Sequence, residues 1–287
     1  MKGFEHAKSE YEKIKAPKAL KERIEKSMEK KRGKAMLFKI SGAAAAIAVT
    51  ACITLLNLSP SFAYAFERNS VINAIIKVFT FGKYETQENG YQAKVVTPAI
   101  EGLLDKDFEK QLNESFKENA NAVIAAYEND LKELKALYGD ETIHMGVESN
   151  YIIKTDTDDI LAIDVYLLNI AGSSSTKHTF YTIDKKTGQL LSLNGIFKKG
   201  TDYVGILSSY IQGEMLRQNK EEDGLFWVEP QEYITEVFEN INADQNFYIN
   251  SDGNIVICFD KYEVAAGAQG SPEFIIPKSI TAPHTIR

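Results

Sequence analysis

Cysteine is almost absent from this chain: 287 residues carry two, Cys52 and Cys258. Cys52 falls in an apolar run and Cys258 in a distant β-like run, so no disulfide between them is expected. The folded part must then be held by an ordinary core rather than by covalent staples. Histidine is scarce too, with His6, His144, His178 and His284 only. None has the spacing of a zinc hydrolase, in which two imidazoles one helical turn apart share a metal. Neither the glycine spacing of nucleotide-binding loops nor a Gly-x-Ser-x-Gly elbow occurs. The acidic stretch TDTDD (residues 155–159) lacks the glycine and distal glutamate of a calcium loop and reads as a solvated β-turn. AGSSST (residues 171–176) reads as a loop between strands. Forty acidic residues offer many carboxylates but mark no pair. Asp164, in an apolar strand, either has a raised pKa or faces water by alternation. These absences point away from an enzyme, a metal or other cofactor, and direct contact with nucleic acid, and toward a binding protein.

What is present is a division of charge. Residues 1–39 hold thirteen basic and six acidic side chains, a net of +7, which leaves 20 basic and 34 acidic side chains, or −14, for residues 40–287. Between the two lies a stretch without formal charge from Ile40 to Phe66. A helix over residues 36–58 would be about 34 Å long at roughly 1.5 Å per residue, enough for a hydrocarbon core of about 30 Å. Lys30, Lys31, Arg32 and Lys34 precede it and Lys39 falls in its first turn, so the positive-inside rule puts the N-terminus in the cytoplasm and the acidic part outside. The expected organisation is a cytoplasmic segment at 1–35, a transmembrane helix at 36–58, a juxtamembrane segment at 59–80 and an extracellular sensor domain at 81–287. That domain divides into subregions of about 81–140 and 141–287. The apolar run ends in Ala63-Tyr64-Ala65, a small-x-small pattern of the kind signal peptidase cuts. A secreted or wall-associated binding domain, released by constitutive cleavage after Ala65, is the alternative reading.

In the basic segment, Phe4, Ala7, Tyr11 and Ile14 form one narrow helical stripe, and Leu20, Ile24 and Met28 a second. Pro17 suits a first helical turn. Seven apolar residues at roughly 1.5–3 kcal/mol each barely offset the ordering of some thirty backbone positions at about 1–2 kcal/mol each. The segment therefore wants a partner. A solvated basic stalk drawn to anionic lipid is the other reading, against which six interspersed glutamates stand.

Beyond the apolar run, VINAIIKVFTFGKYE suggests a short amphipathic helix over Val71–Phe79 running into a strand. QENG is a hairpin turn leading to YQAKVVTP. Residues 105–138 read as the strongest helix, with Phe108, Leu112, Phe116, Ala120, Val123, Tyr127, Leu131 and Leu134 at 3–4 residue spacing and Gly139 as a stop. The period then falls to two: strands flank a turn at 155–159, and a hairpin turns at KKTG. A helix follows over about 201–219 and a short one near EPQEYITEVFENI. NFYIN, NIVICFD and EFIIP are strands. The pattern gives an α+β fold, an antiparallel sheet with helices 105–138 and 201–219 covering one face.

FDKYEVAAGAQGSPEFIIP, Phe259 to Pro277, resembles the closing signature of the ectodomain of RsiV-type anti-sigma factors. VINAIIKVFTFGKYE with TPAIEGLLDKDFEKQLN is similar to the start of such ectodomains, and YEKIKAPKALKERIEK resembles their sigma-binding segment. The resemblance implies a single-pass protein that holds an extracytoplasmic-function sigma factor at the inner face of the cell membrane. A stimulus such as lysozyme, or another wall-active ligand, would bind outside and expose the peptidase site. Signal peptidase and then an intramembrane protease would free the sigma factor. On this reading Ala63 and Ala65 occupy the −3 and −1 positions, with the cut before Phe66. Phe4, Tyr11, Ile14, Leu20, Ile24 and Met28 face the sigma factor, and Tyr262, Ala266, Gly267 and Pro272 belong to the ligand surface. Several relatives place Pro-Tyr after the YEVA element where this chain has Ala266-Gly267, which bears on lysozyme capture and not on sigma sequestration.

Overall fold

The computed structural model describes residues 76–286, apart from 140, 141, 143 and 231–235. The helical stripes, the apolar span and the Ala63-Tyr64-Ala65 site fall outside the described residues. Among the described residues, no helix is long and apolar enough to cross a membrane.

Two long strands open the fold, β1 (Lys77–Glu88) and β2 (Tyr91–Glu101). Asn89 and Gly90 join them with φ of 48° and 77°, the positive values of a type I′ turn that matches the strands' twist. The strand character of β1 begins at Lys77, paired with Glu101, so the helix expected over Val71–Phe79 does not form at 77–79. Phe79 pairs across to Ala99, and this ladder replaces the helical bonds that an isolated stripe of about two and a half turns would have used. Helix α1 (Lys106–Tyr138) follows. The Asp105 carboxylate accepts from the Phe108 N–H, and Gly139 closes the helix at φ 60°, a conformation that costs glycine little. Then come β3 (Met145–Asp156), β4 (Ile160–Ala171), β5 (Ser173–Asp184) and the short β6 (Gln189–Leu190).

These six strands form one sheet in chain order, β1 to β6. All neighbours are antiparallel except β2 and β3, which run parallel from Tyr91–Met145 to Val95–Ser149. The sheet is therefore mixed rather than antiparallel throughout. Only a long crossover can return the chain to start a parallel neighbour, and α1 supplies it. Pro98 sits in β2 beyond the last rung to β3, where a missing N–H interrupts nothing on that side. At the far end, β4 and β5 pair without a break up to Ala171–Ser173. The expected loop 171–176 thus shrinks to Gly172, at φ 75°, and the serines after it join the strand.

The chain then forms α2 (Leu193–Ile196), α3 (Tyr203–Glu221), a second sheet of β7 (Phe247–Ile249), β8 (Ile255–Cys258) and β9 (Glu273–Ile276), and α4 (Lys278–Thr281). Residues 236–241, expected at the end of a short helix, are irregular. Alternation along β4 decides where everything else packs. Leu161 and Ile163 meet Leu112 and Phe116 of α1 with Tyr181 and Ile183 of β5. Ile160 and Ala162 meet Leu207, Ile211 and Met215 of α3 together with Val256 and Ile257 of β8. The two long helices therefore lie on opposite faces of the sheet, not on one. A third cluster, Tyr91, Ala93, Tyr127, Leu134 and Val147, anchors the C-terminal half of α1.

Candidate functional site

After β8 the chain makes a tight turn at Asp260–Glu263. The Glu263 carboxylate accepts from the Asp260 N–H at 2.7 Å and from the Gln245 side-chain amide at 3.0 Å. The turn forces Tyr262 to φ 71°, a region that aromatic residues rarely occupy and that marks stored strain. Tyr262 is 43% exposed, yet its ring is held. Its hydroxyl lies 2.8 Å from Ser173 Oγ, and Lys261 Nζ, which donates to Ser174 Oγ at 2.7 Å, lies 5.2 Å from the ring centroid. The tip of the β4–β5 hairpin and the 260–263 turn thus form one surface. Gly267 is required beneath it, because a Cβ there would come within 2.3 Å of Tyr262 Cε1.

The four expected ligand residues divide. Tyr262 stacks over Gly267, and Ala266 precedes it, its N–H bonded to the Leu225 carbonyl at 3.1 Å. Pro272 is buried, and its carbonyl accepts from the Phe259 N–H at 3.0 Å, so it braces the loop from behind. The first three share the outer surface and Pro272 does not.

Behind that loop lies a relay that periodicity alone does not show. Asp164 is buried, 2% exposed, which corrects the option that it faces water: its side of β4 is covered by the second sheet. Its carboxylate lies 2.9 and 3.0 Å from His178 Nδ1, and His178 Nε2 lies 3.0 Å from Ser271 Oγ. The His178 backbone N–H donates to Asp260 at 2.8 Å, and its carbonyl accepts from Asn246 at 2.9 Å. Burial opposes protonation of His178, but the Asp164 hydrogen bond and charge, with Asp260 and Glu273, outweigh it and raise its pKa. Burial also raises the Asp260 pKa, against the His178 N–H that it accepts. The order Asp–His–Ser is that of acyl-transfer triads, but Pro272 follows Ser271 and offers no amide N–H to a developing oxyanion. The relay ties β4 and β5 to the loop before β9. The hairpin register held the one clue to it, because β4–β5 pairing sets Tyr166 opposite His178 and Asp164 opposite Phe180.

Beside Tyr262 opens a cavity of about 540 Å³, whose lining includes Trp227, Phe259 and Tyr262 and Glu236, Glu239 and Glu263. The Trp227 N–H bonds to the Val264 carbonyl at 2.9 Å and its own carbonyl accepts from Phe238 at 2.7 Å, which fixes the aromatic wall. This cavity was not foreseen, since Trp227 and Tyr262 are 35 residues apart in the chain. Among the described residues no group of His, Cys, Asp and Glu is arranged to hold a metal ion.

Residues 194–279 match DUF3298, a family described as a protein of unknown function. Along almost its whole length the chain resembles anti-sigma-V factor RsiV of Bacillus subtilis (strain 168). The two are 34% identical over 284 residues, covering 97% of this chain and 95% of the relative. Among solved structures, a DUF3298 member from Bacteroides fragilis NCTC 9343 superposes with a TM-score of 0.55 at 15% identity, covering 75% of this chain and 95% of that one. It shares the fold. A DUF3298 protein from Pseudomonas aeruginosa PAO1 gives a TM-score of 0.46 at 14% identity, covering 74% and 94%.

Proposed function

Because this chain belongs to the RsiV family of anti-sigma factors, we propose that it sequesters an extracytoplasmic-function sigma factor at the cell membrane and releases it by regulated proteolysis. The anti-sigma role comes from whole-chain identity. The topology is supported by the order of basic segment, uncharged run and acidic domain, +7 before residue 40 and −14 after it. Phe4, Tyr11, Ile14, Leu20, Ile24 and Met28 form the sigma-facing stripe, which folds against its partner because it cannot bury enough surface alone. The apolar run crosses the membrane once, with the α+β domain outside.

The observation that carries ligand sensing is the strained, exposed Tyr262 held over Gly267 by Ser173. Strain of this kind persists where a surface has been shaped for a task. A ligand that binds the cut-competent form better shifts the chain toward it, and about 5.5 kcal/mol of preference makes the switch nearly complete. Lysozyme, a basic protein, suits an acidic domain, whose field would speed its arrival. Signal peptidase then cuts between Ala65 and Phe66, and an intramembrane protease cuts what remains of the span.

Two measurements test this reading. A sigma factor should co-purify with the full chain and be lost when Tyr11 and Ile14 are both changed to Asp; a pull-down without a sigma factor removes the reading. Lysozyme added to cells should shorten the membrane-bound chain, and Ala63→Trp should block the shortening. Full cleavage in unstimulated cells would favour a constitutively released binding domain instead.

A further inference from the structure

The cavity beside Tyr262 carries formal charge of one sign among its described lining residues. Trp227, Phe259 and Tyr262 supply aromatic surface, Glu236, Glu239 and Glu263 supply negative charge, and Asn240, Asn242 and Gln245 are neutral. Among the described residues no Lys, Arg or His lines it, the nearby Lys261 Nζ lying 5.2 Å from the Tyr262 centroid and bonded to Ser174. Of the three carboxylates, Glu263 is held in place by the Asp260 N–H and the Gln245 amide, whereas Glu236 and Glu239 are exposed. Aromatic faces attract cations through their ring quadrupoles, most strongly for tryptophan. Carboxylates around the same space add charge and hydrogen-bond acceptors. The negative charge of Glu236, Glu239 and Glu263 disfavours an anion there and favours a cation. About 540 Å³ exceeds what one side chain needs, which leaves room for the segment that carries it.

We propose that this cavity receives an arginine side chain of a protein ligand docked on the Tyr262 surface. A guanidinium is planar, stacks on an indole and donates to carboxylates in a fork, whereas a lysine ammonium offers only a point charge. The inference rests on reading the Tyr262 surface as ligand-binding. It requires neither that the ligand be lysozyme nor that proteolysis follow. It also gives the domain's negative charge a specific destination: long-range attraction would deliver a basic partner, and the cavity would select the group that enters.

Trp227 is the single tryptophan of the chain, so its fluorescence reports the cavity directly. The full chain in detergent micelles is titrated with N-acetyl-arginine amide and, separately, with the citrulline analogue, which keeps the shape and lacks the charge. The arginine compound should give a saturable change in Trp227 emission at about 1–10 mM, the range expected for so small a ligand. The citrulline compound should give none. Glu236→Gln with Glu239→Gln, both at exposed positions, should raise the midpoint at least about threefold, with the circular dichroism spectrum unchanged. Equal responses to the two compounds, or an unmoved midpoint in the double variant, overturns the proposal. Cadaverine, a flexible diamine without a plane, should bind more weakly; tighter binding by cadaverine overturns the guanidinium assignment. These outcomes are independent of sigma-factor capture, so either reading can fail while the other stands.

Discussion

Tyr262 shows what a single position can carry. An aromatic residue at φ 71° gives up roughly 1–2 kcal/mol of backbone energy, and the Ser173 hydrogen bond at 2.8 Å returns part of it. Asparagine tolerates the left-handed region far better. Tyr262→Asn should therefore leave the thermal midpoint within a few degrees of the parent or raise it, while weakening N-acetyl-arginine amide binding at least about threefold. A large drop in the midpoint would mean that the ring is a structural brace. The resemblance singles out Gly267 as part of the ligand surface, but the sequence does not show why a glycine stands there. The reason is the Tyr262 ring, 2.3 Å from where a Cβ would stand, and only three dimensions bring the two together.

At the level of elements, the most legible part was the part with local causes. Helix α1 combines a 3–4 residue stripe, an Asp105 cap and a Gly139 stop, and each is readable within a turn or two of chain. The β1–β2 hairpin is signalled by Asn89-Gly90 alone. What stayed hidden depends on distant pairing. Nothing near Tyr91 announces that it will lie parallel to Met145, and an apolar stripe does not say which face of a sheet it will cover. The mistaken short helix at 77–79 shows the same limit, because β-branched and aromatic residues at helical spacing still favour a strand once a partner such as β2 is available. Phe116 tests the packing. It is 2% exposed and meets Tyr181 edge to face at 5.0 Å, so Phe116→Ala should cost about 3–5 kcal/mol in urea unfolding. Phe108, only partly buried at the edge of the same cluster, should cost roughly 1 kcal/mol when replaced by alanine. Equal losses would contradict the assigned core.

Across the whole molecule, His178 is one polar link between the two sheets, with Asp164 on β4 at one nitrogen and Ser271 before β9 at the other. Its folded pKa is raised. The stability it contributes is thus fully present below its unfolded pKa, about 6.5, and is lost as pH rises through the higher folded value. Asp164→Asn removes the carboxylate that holds the proton. The thermal midpoint of the parent should fall as pH rises above the ordinary histidine pKa of about 6.5, and the variant, less stable throughout, should fall by less. Parallel curves would mean that the pair does not titrate in this window.

The sheet's order also has a mechanical meaning. Among the described residues, strand β1 lies at the outer edge with a neighbour on one side only, its turn at Asn89-Gly90 far from residue 76 and its first rung at Lys77–Glu101. A tug on the chain at Ile76, transverse to the sheet, enters the hairpin at its mouth and parts the rungs one after another, as a zipper opens. Opening that edge also breaks the packing of Ile76 and Val78 in the cluster with Leu112 and Phe116 and the Tyr84–Tyr127 ring contact, so helix α1 is the latch on the zipper.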